Sequence, residues 1–486
     1  MKRKKTEMIT LSLLLFSLIP AILIISQLNR NIDLTDKKIY TIKNGTVEIL
    51  NHFEQPLYIT WWKSDEFESS QLKMVSEFLK QMSRSSLYDL SVDIKIPSAD
   101  DQRRLKELGL SEEQIEINTK GEIQKINIFS GLEINYLESR EIVPFIAGPD
   151  NLEFLIAEAL TKLKNGGLKT LAIFPDSSAD KPNGSYSLLI SQLSRFFDVY
   201  PLSEDTPLTF IPDIMIVPDR KDFLMNELYA IDRTIQEGSP LIFLVDGLKI
   251  DPENNDYAVR VDSSIISRWI ESYGVVLGDA LISDENSLLL NYMSGNSQRY
   301  DFYNMWFKGS DHFDVLWGSP IQIIEKENIT YKTIIQSSSN SWLSEGNTDI
   351  RPEAYKDANL FTGPYTVCVQ LNGLFNPLFK SSVQSEKENN ILVFSSTLSF
   401  SDFMQSSGSM KNIVYIRNYI YKLLGDEILY DISSRSNEYH LLHRNTIYTG
   451  RGQGVVKILT FIIVPFLFSF VYLALLFRQR RSRRGE

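Results

Sequence analysis

LKTLAIFP at 168–175, IPDIMIVPD at 211–219 and PLIFLVDG at 240–247 are the three stretches on which the fold turns. Each is a short, continuous apolar run closed by Pro or Asp, with no apolar–polar alternation. A strand reads this way when both of its faces are buried. Between the runs lie helical stripes at Tyr186–Phe197 and Phe223–Gln236, the second stopped by Gly238, with DVYPL at 198–202 as a further short strand. Strands alternating with amphipathic helices predict a parallel sheet covered on both sides. Strand, helix, strand, helix, strand at this spacing is half of a doubly wound α/β fold.

Upstream, Asn151–Lys164 carries Leu152, Leu155, Ile156, Ala159, Leu160 and Leu163 on one face, and Gly166 and Gly167 stop it. Residues 31–150 read as a small α/β domain. Thr41 is the expected cap of a short helix reaching Phe53, PLYITWW at 56–62 is a β-branched and aromatic strand, and Phe67–Met82 shows a helical stripe. LYDLSVDIKI at 87–96 alternates as a strand, Arg103–Gly109 reads as a short surface helix, and KINIFSGLEINYLESREIVPFI at 125–146 reads as two strands folded into a hairpin near Gly131.

Downstream, a helix is expected at Ser263–Tyr273, followed at 279–364 by an Asn- and Ser-rich stretch read as an irregular insertion with a few strands. Trp306, Trp317 and Trp342 within it require packing partners. Strand character returns in YTVCVQLNGLF at 365–375 and NILVFSSTLSF at 390–400, and Lys411–Leu424 carries a helical stripe. The doubly wound domain is thereby placed at 151–435, with a juxtamembrane segment at 436–454.

The chain ends suggest a membrane. Residues 8–28 read MITLSLLLFSLIPAILIISQL without a charge, and a helix of that length reaches about 31 Å, enough for a hydrocarbon core of roughly 30 Å. The exit IISQLNRN has no small-x-small cleavage site, which favours an uncleaved anchor over a signal peptide. A second apolar run occupies 455–477. Lys2, Arg3, Lys4 and Lys5 lie in the tail 1–7, and Arg478, Arg480, Arg481, Arg483 and Arg484 in the tail 478–486. Basic residues mark the cytoplasmic side, so the expectation is two terminal transmembrane helices in a bacterial inner membrane, both termini cytoplasmic, with an extracytoplasmic body between. Membrane lipid is then an expected partner.

The formal net charge is −11, and because those basic clusters sit at the ends, the body between is more acidic than the whole. Such a surface excludes nucleic acid as a partner. One cysteine, Cys368, excludes an internal disulfide framework and a thiolate zinc site. It lies mid-strand in YTVCVQL, which reads as a buried structural position. NGGLKT at 165–170 lacks the GK[ST] ending of a phosphate loop and precedes a strand, so it reads as a helix stop. Of four histidines, His440 and His443 are three apart with Glu438 near, but no third metal ligand is evident. Asp311–His312 resembles a base with its orienter, yet no GxSxG elbow supplies a nucleophile. Asp176 and Asp246 both follow strands, at the carboxyl edge where α/β folds bind ligands, and are the candidate ligand contacts. No catalytic, metal or cofactor site is expected.

The order of parts resembles that of the GldG-like auxiliary proteins of ABC transporters. IDLTDKKIYTIKNGTVEIL at 32–50 with PLYITWW resembles the family's entry motif, close to "DLTxxKxYSLS", with Thr41 and Ile42 in place of Ser-Leu and Asn44 where Ser is common. EGSPLIFLVDG resembles "GGxLLxLxD", with Gly238 kept and Glu237 replacing the other glycine. LEFLIAEALTKL, LVFSSTLSFSDF and the closing IIVPFLFSFVYLALLFRQRRSRR continue the match. The resemblance implies a non-catalytic partner of an ABC permease and a separate ATPase, associated with gliding motility or export, whose central unit is flavodoxin- or amidotransferase-like without catalytic residues. Two rival readings remain open at this point: an extracytoplasmic α/β hydrolase-like enzyme, and a membrane-anchored sensor or glycan-binding scaffold.

Overall fold

The computed structural model describes residues 42–442, apart from 66–69, 111, 120–121, 147, 150, 175–185, 203–207, 221–222, 251–256, 261–263, 295–296, 346–347, 353–359 and 380–385. The chain first builds a five-stranded sheet from β1 (Leu57–Lys63), β2 (Leu90–Lys95), β3 (Glu112–Thr119), β4 (Glu122–Tyr136) and β5 (Ser139–Val143). β1 pairs with β2 in parallel and with β4 antiparallel. Helices α1 (Asn44–Leu50), α2 (Ser70–Ser85) and α3 (Ala99–Glu107) accompany it. α3 begins on a reciprocal cap, Ser98 accepting from the Asp101 amide while Asp101 accepts from that of Ser98. Thr41, the expected cap of α1, lies outside the described residues, and Lys43 holds the cap position.

The hairpin expected at Gly131 is misplaced. β4 runs straight through that residue and the chain reverses at Leu137–Glu138, where Leu137 adopts φ 53°. Gly131 has a different reason to lack a side chain. A Cβ there would lie 2.8 Å from the carbonyl oxygens of both Val143 and Pro144. The glycine admits the end of β5 against β4.

Helix α4 (Leu152–Asn165) leads into the main sheet and ends on Gly166 at φ 72°, the helix stop expected of NGGLKT. There follow β6 (Thr170–Ile173), α5 (Ser187–Leu193), β7 (Asp198–Pro201), β8 (Ile214–Pro218), α6 (Met225–Gln236) and β9 (Leu241–Leu244). Then come the short β10 (Leu248–Lys249) and β11 (Tyr257–Arg260), α7 (Ile265–Ser272) and β12 (Val275–Leu277). The polar stretch that looked irregular is strand-rich. It holds β13 (Ala280–Asp284), β14 (Ser287–Ser294), β15 (Ser297–Lys308), β16 (Asp314–Leu316), β17 (Ile321–Ile323), β18 (Ile329–Gln336), β19 (Ser341–Glu345) and β20 (Thr348–Asp349). Their burial follows no simple period, β13 and β16 being buried throughout with Ser283, Asp284 and Asp314 inside while β15 is exposed in its first half and buried in most of its second, which hid the strands. Its buried side holds Trp306 and Trp317, packed edge to face at 5.0 Å beside Tyr303 and Phe403. β21 (Thr366–Gly373), β22 (Asn389–Phe394), α8 (Met404–Ser407), α9 (Lys411–Leu423) and α10 (Glu427–Leu442) complete the described chain.

The main sheet has nine strands, ordered β12-β17-β21-β22-β9-β8-β6-β7, with β18 also on β21. Its parallel part, β22-β9-β8-β6-β7, reads 2-1-3-4-5 in chain order from the β7 side, a doubly wound arrangement. The antiparallel β12, β17, β18 and β21 extend it, so the sheet is mixed. Both faces are covered. Leu171, Ile173, Ile214, Ile216, Ile242 and Leu244 join one hydrophobic cluster, while Ala172, Met215, Val217, Leu241 and Phe243 join another. The first cluster continues through Phe154 and Leu160 of α4 to Leu132 and Ile134 of β4, joining the two sheets.

The fold class is therefore corrected. The described chain is a mixed α/β body with several sheets, and two terminal transmembrane helices are not supported. Among the described residues no helix is long and apolar enough to cross a membrane. α2 and α10 have 16 residues each, about 24 Å of helix, and both carry charges along their length. Residues 8–28 and 455–477, on which that expectation rested, lie outside the described residues, as do the basic tails. Gly131→Ala is predicted to destabilise the fold by about 1–3 kcal/mol through overpacking, read as a lowered urea midpoint. An unchanged midpoint would mean that β5 can withdraw freely.

Candidate functional site at the carboxyl edge

In an open α/β sheet the crevice beyond the carboxyl ends of the parallel strands is the usual ligand site. Here β8 ends in Asp219–Arg220, β9 in Val245–Asp246–Gly247 and β22 in Ser395–Ser396–Thr397. The ladder continues slightly past the strands, the Asp219 amide donating to the Leu244 carbonyl at 2.7 Å and that of Val245 to Phe394 at 2.9 Å. These residues are thus held side by side.

The structure brings Asp246 to this edge but engages it internally. Thr397 donates its amide to Asp246 Oδ1 at 2.9 Å and its hydroxyl to Oδ2. Burial pushes the Asp246 carboxyl up to about 6, and the two Thr397 hydrogen bonds oppose that rise. Asp176, the other candidate, lies outside the described residues.

The insertion closes the edge beside Asp246. The Gly247 amide donates to Ser319 Oγ at 3.2 Å, and a Cβ on Gly247 would lie 2.3 Å from the Gly278 carbonyl oxygen. Ser396 donates to the Leu316 carbonyl at 2.7 Å, and Ser395 donates to that of Ser319. Backbone from 278–319 therefore occupies the space where a ligand of β9 and β22 would lie.

Asp219 is the residue that sequence reasoning missed. It follows IMIVP as Asp246 follows LIFLV, so the same edge rule points to it. Its Oδ1 is buried without a hydrogen-bond partner. Burial pushes its carboxyl up to about 7, opposed by Ser264 at the head of α7 and reinforced by the charge of Asp246. Next to it, the Arg220 guanidinium pairs with Glu227 and lies over the rings of Phe223 at 4.6 Å and Phe174 at 5.5 Å, while its Nε has no partner. Beside Asp246 the edge thus holds a buried carboxyl raised to about 7 and a cation clamped by Glu227.

Other candidates lie elsewhere. Asp311 and His312 are exposed in a tight turn, both at positive φ, and Asp311 acts electrostatically on Tyr415, Tyr419 and Tyr430 of α9 and α10. Cys368 is fully buried mid-β21, where burial raises its thiol well above the ordinary range, so it is no thiolate nucleophile. His443 lies outside the described residues. Among the described residues no group of His, Cys, Asp and Glu is placed to hold a metal ion.

The model of a family described as an ABC-type uncharacterized transport system matches residues 168–418, just over half of the chain and the whole doubly wound core with its insertion. The chain belongs to that family. The resemblance to the GldG-like auxiliary proteins of ABC transporters is in keeping with this membership, and an accessory role in transport follows from it. Residues 36–135, which include the smaller sheet's β1 to β3 and most of β4, match a domain of unknown function. An uncharacterized protein of Borreliella burgdorferi (strain ATCC 35210) is 25% identical over 463 residues, 90% of either chain. No solved structure matches. In EGSPLIFLVDG, Gly238 adopts φ 85° at the turn into β9, whereas Glu237 has an ordinary helical φ of −77°. The kept glycine is the one the backbone requires.

The raised acid of Asp219 carries a stability consequence with a definite sign. Between its unfolded value of 3.8 and about 7, the folded protein holds a proton that the unfolded chain releases. Its contribution is therefore full below that window and shrinks as pH rises through about 7. Asp219→Asn, which keeps the shape without the charge, should be more stable than the parent by up to about 4 kcal/mol at pH 8, the difference vanishing towards pH 4 in urea titrations. A pH-independent difference would show that the carboxyl is solvated.

Proposed function

We propose that this chain is a non-catalytic accessory subunit that docks at the membrane on an ABC permease driven by a separate ATPase, its α/β body presenting a surface to a substrate or an envelope partner. The observation that carries this reading is the closure of the carboxyl edge. In an enzyme built on a doubly wound sheet, reacting groups gather in that crevice. Here the chain's own backbone fills it at β9 and β22, Thr397 engages both oxygens of Asp246, and Glu227 clamps Arg220. An edge covered by the chain's own backbone at β9 and β22, with Asp246 engaged by Thr397, suits recognition better than turnover.

Family membership supports the transport context, and the lack of a phosphate-loop motif in the sequence supports an energy source on another chain. The surface left for recognition is the Asp219–Arg220 side of the edge together with the insertion packed beside it. Affinity purification of the full tagged chain from detergent-solubilised native membranes should recover an ABC permease and its ATPase in reproducible ratio. Recovery of the chain without either overturns the assignment.

A further inference from the structure

The insertion carries a hairpin that is bedded at its base and free beyond it. β14 and β15 pair antiparallel from Leu288 opposite Tyr303 out to Ser294 opposite Ser297. Apart from β14, β15 meets another strand only at Trp306–Lys308, where β16 lies. Its outer stretch Ser297–Phe302 therefore has one edge with no strand partner among the described residues, and all six side chains are exposed. A two-stranded ribbon is marginal in water, and a row of unpaired amides and carbonyls is a template for a further strand. Natural edges are commonly blunted by Lys, Pro or a bulge. SQRYDF at 297–302 has neither lysine nor proline, and the irregularity in the pairing falls at Ser287–Leu288, at the other end.

The side chains of this stretch sort by face. Tyr300 and Phe302 share one face with Leu289, which lies directly opposite Phe302, and the three remain 58%, 66% and 49% exposed. Arg299 and Asp301 alternate onto the other face, Asp301 accepting from the Tyr292 hydroxyl at 2.7 Å. The two charges flank Tyr300, one residue to either side, with opposite sign. That arrangement is complementary to itself. When two identical strands lie antiparallel about Tyr300, position 299 of each faces position 301 of the other, and every arginine meets an aspartate. A parallel copy in register would set like charge against like.

We propose that the free edge of β15 pairs antiparallel with the same edge of a second copy of this chain, about a two-fold axis at Tyr300. The product is a four-stranded sheet with the two β15 strands at its centre. Tyr300 lies beside its counterpart, Phe302 faces Gln298 of the second copy, and two Arg299–Asp301 pairs form on the opposite face. Three half-exposed apolar side chains are too few to hold two copies face to face, since a stable interface takes roughly 800 Å² from each partner. Backbone pairing along an edge does not depend on that area, and the association it gives is weak and concentration dependent. The proposal concerns the insertion alone and is independent of the accessory role, which stands or falls on co-purification.

The test is sedimentation velocity of the purified full-length chain over a wide concentration range, beside Arg299→Asp and Asp301→Arg. The parent should self-associate reversibly. Either variant alone places like charges opposite one another and should dimerise more weakly by roughly tenfold or more. An equimolar mixture of the two variants restores both pairs and should recover the parent's affinity. Both positions are exposed, so each variant should keep the parent's melting temperature. Tyr300→Cys, on the axis, should give a disulfide-linked dimer under mild oxidation, and Phe302→Cys, displaced from the axis in each copy, should not. Cys368 is fully buried and adds no background. A parent that stays monomeric throughout, a mixture that associates no better than either variant, or equal cross-linking at 300 and 302 overturns the proposal.

Discussion

The pairing of β22 with β9 is the constraint on which the rest of this structure depends. The two strands lie side by side and parallel, Ile391 opposite Leu241 and Phe394 opposite Leu244, although residues 245–388 intervene. All four side chains in those two pairs are buried. A parallel neighbour cannot be reached by a tight turn. The chain must leave β9 at the carboxyl edge and enter β22 from the amino edge, and on the way it adds β12, β17, β18 and β21 to the same sheet. The insertion is that excursion, and its path over the strand ends follows from where it must start.

This path explains the chemistry of the edge. Gly247 and Gly278 approach so closely that a Cβ on Gly247 would lie 2.3 Å from the Gly278 carbonyl oxygen, with Ser319, Ser395 and Ser396 satisfying polar groups that the contact buries. Asp246 becomes a strut for the loop after β22. Asp219, one strand further from the insertion, escapes that role and keeps a buried, unpartnered oxygen. Two aspartates in equivalent sequence positions thus acquire different environments, Asp246 engaged by Thr397 after β22 and Asp219 by Ser264 at the head of α7.

The amino end of the sheet is organised by a different set of contacts. Lys43 of the first described turn donates to Glu153 of α4 through its amide at 2.7 Å, and through its ammonium to Asp431 of α10 at 2.8 Å. Thr46 adds a hydroxyl to the same Glu153 oxygen at 2.6 Å. Both ends of the described chain are thereby tied to α4, whose Phe154 and Leu160 also belong to the shared hydrophobic cluster. α4 transmits the position of the smaller sheet to the larger one, and a cleft lined by Glu158 opens on its C-terminal half.

What the sequence determined by itself was local. The continuous apolar runs of β6, β8 and β9, the helical stripes of α4, α6 and α9, the stop at Gly166 and the buried Cys368 were all legible, because hydrophobic periodicity reports burial within a few residues. Asp246 was legible through its place after a strand. What only the tertiary structure decided depends on contacts between distant segments. Gly131 looks like a turn until Val143 and Pro144 are seen against it. The 279–364 stretch looks irregular because its strands bury polar residues such as Ser283, Asp284, Asn304 and Asp314 and show no simple alternation. Glu158 lies in an unremarkable helical position beside Lys162, and nothing near it in sequence reveals that the fold buries it and pushes its carboxyl up to about 7. Local pattern encodes which residues are buried, while the long-range pairing of strands sets what each is buried against.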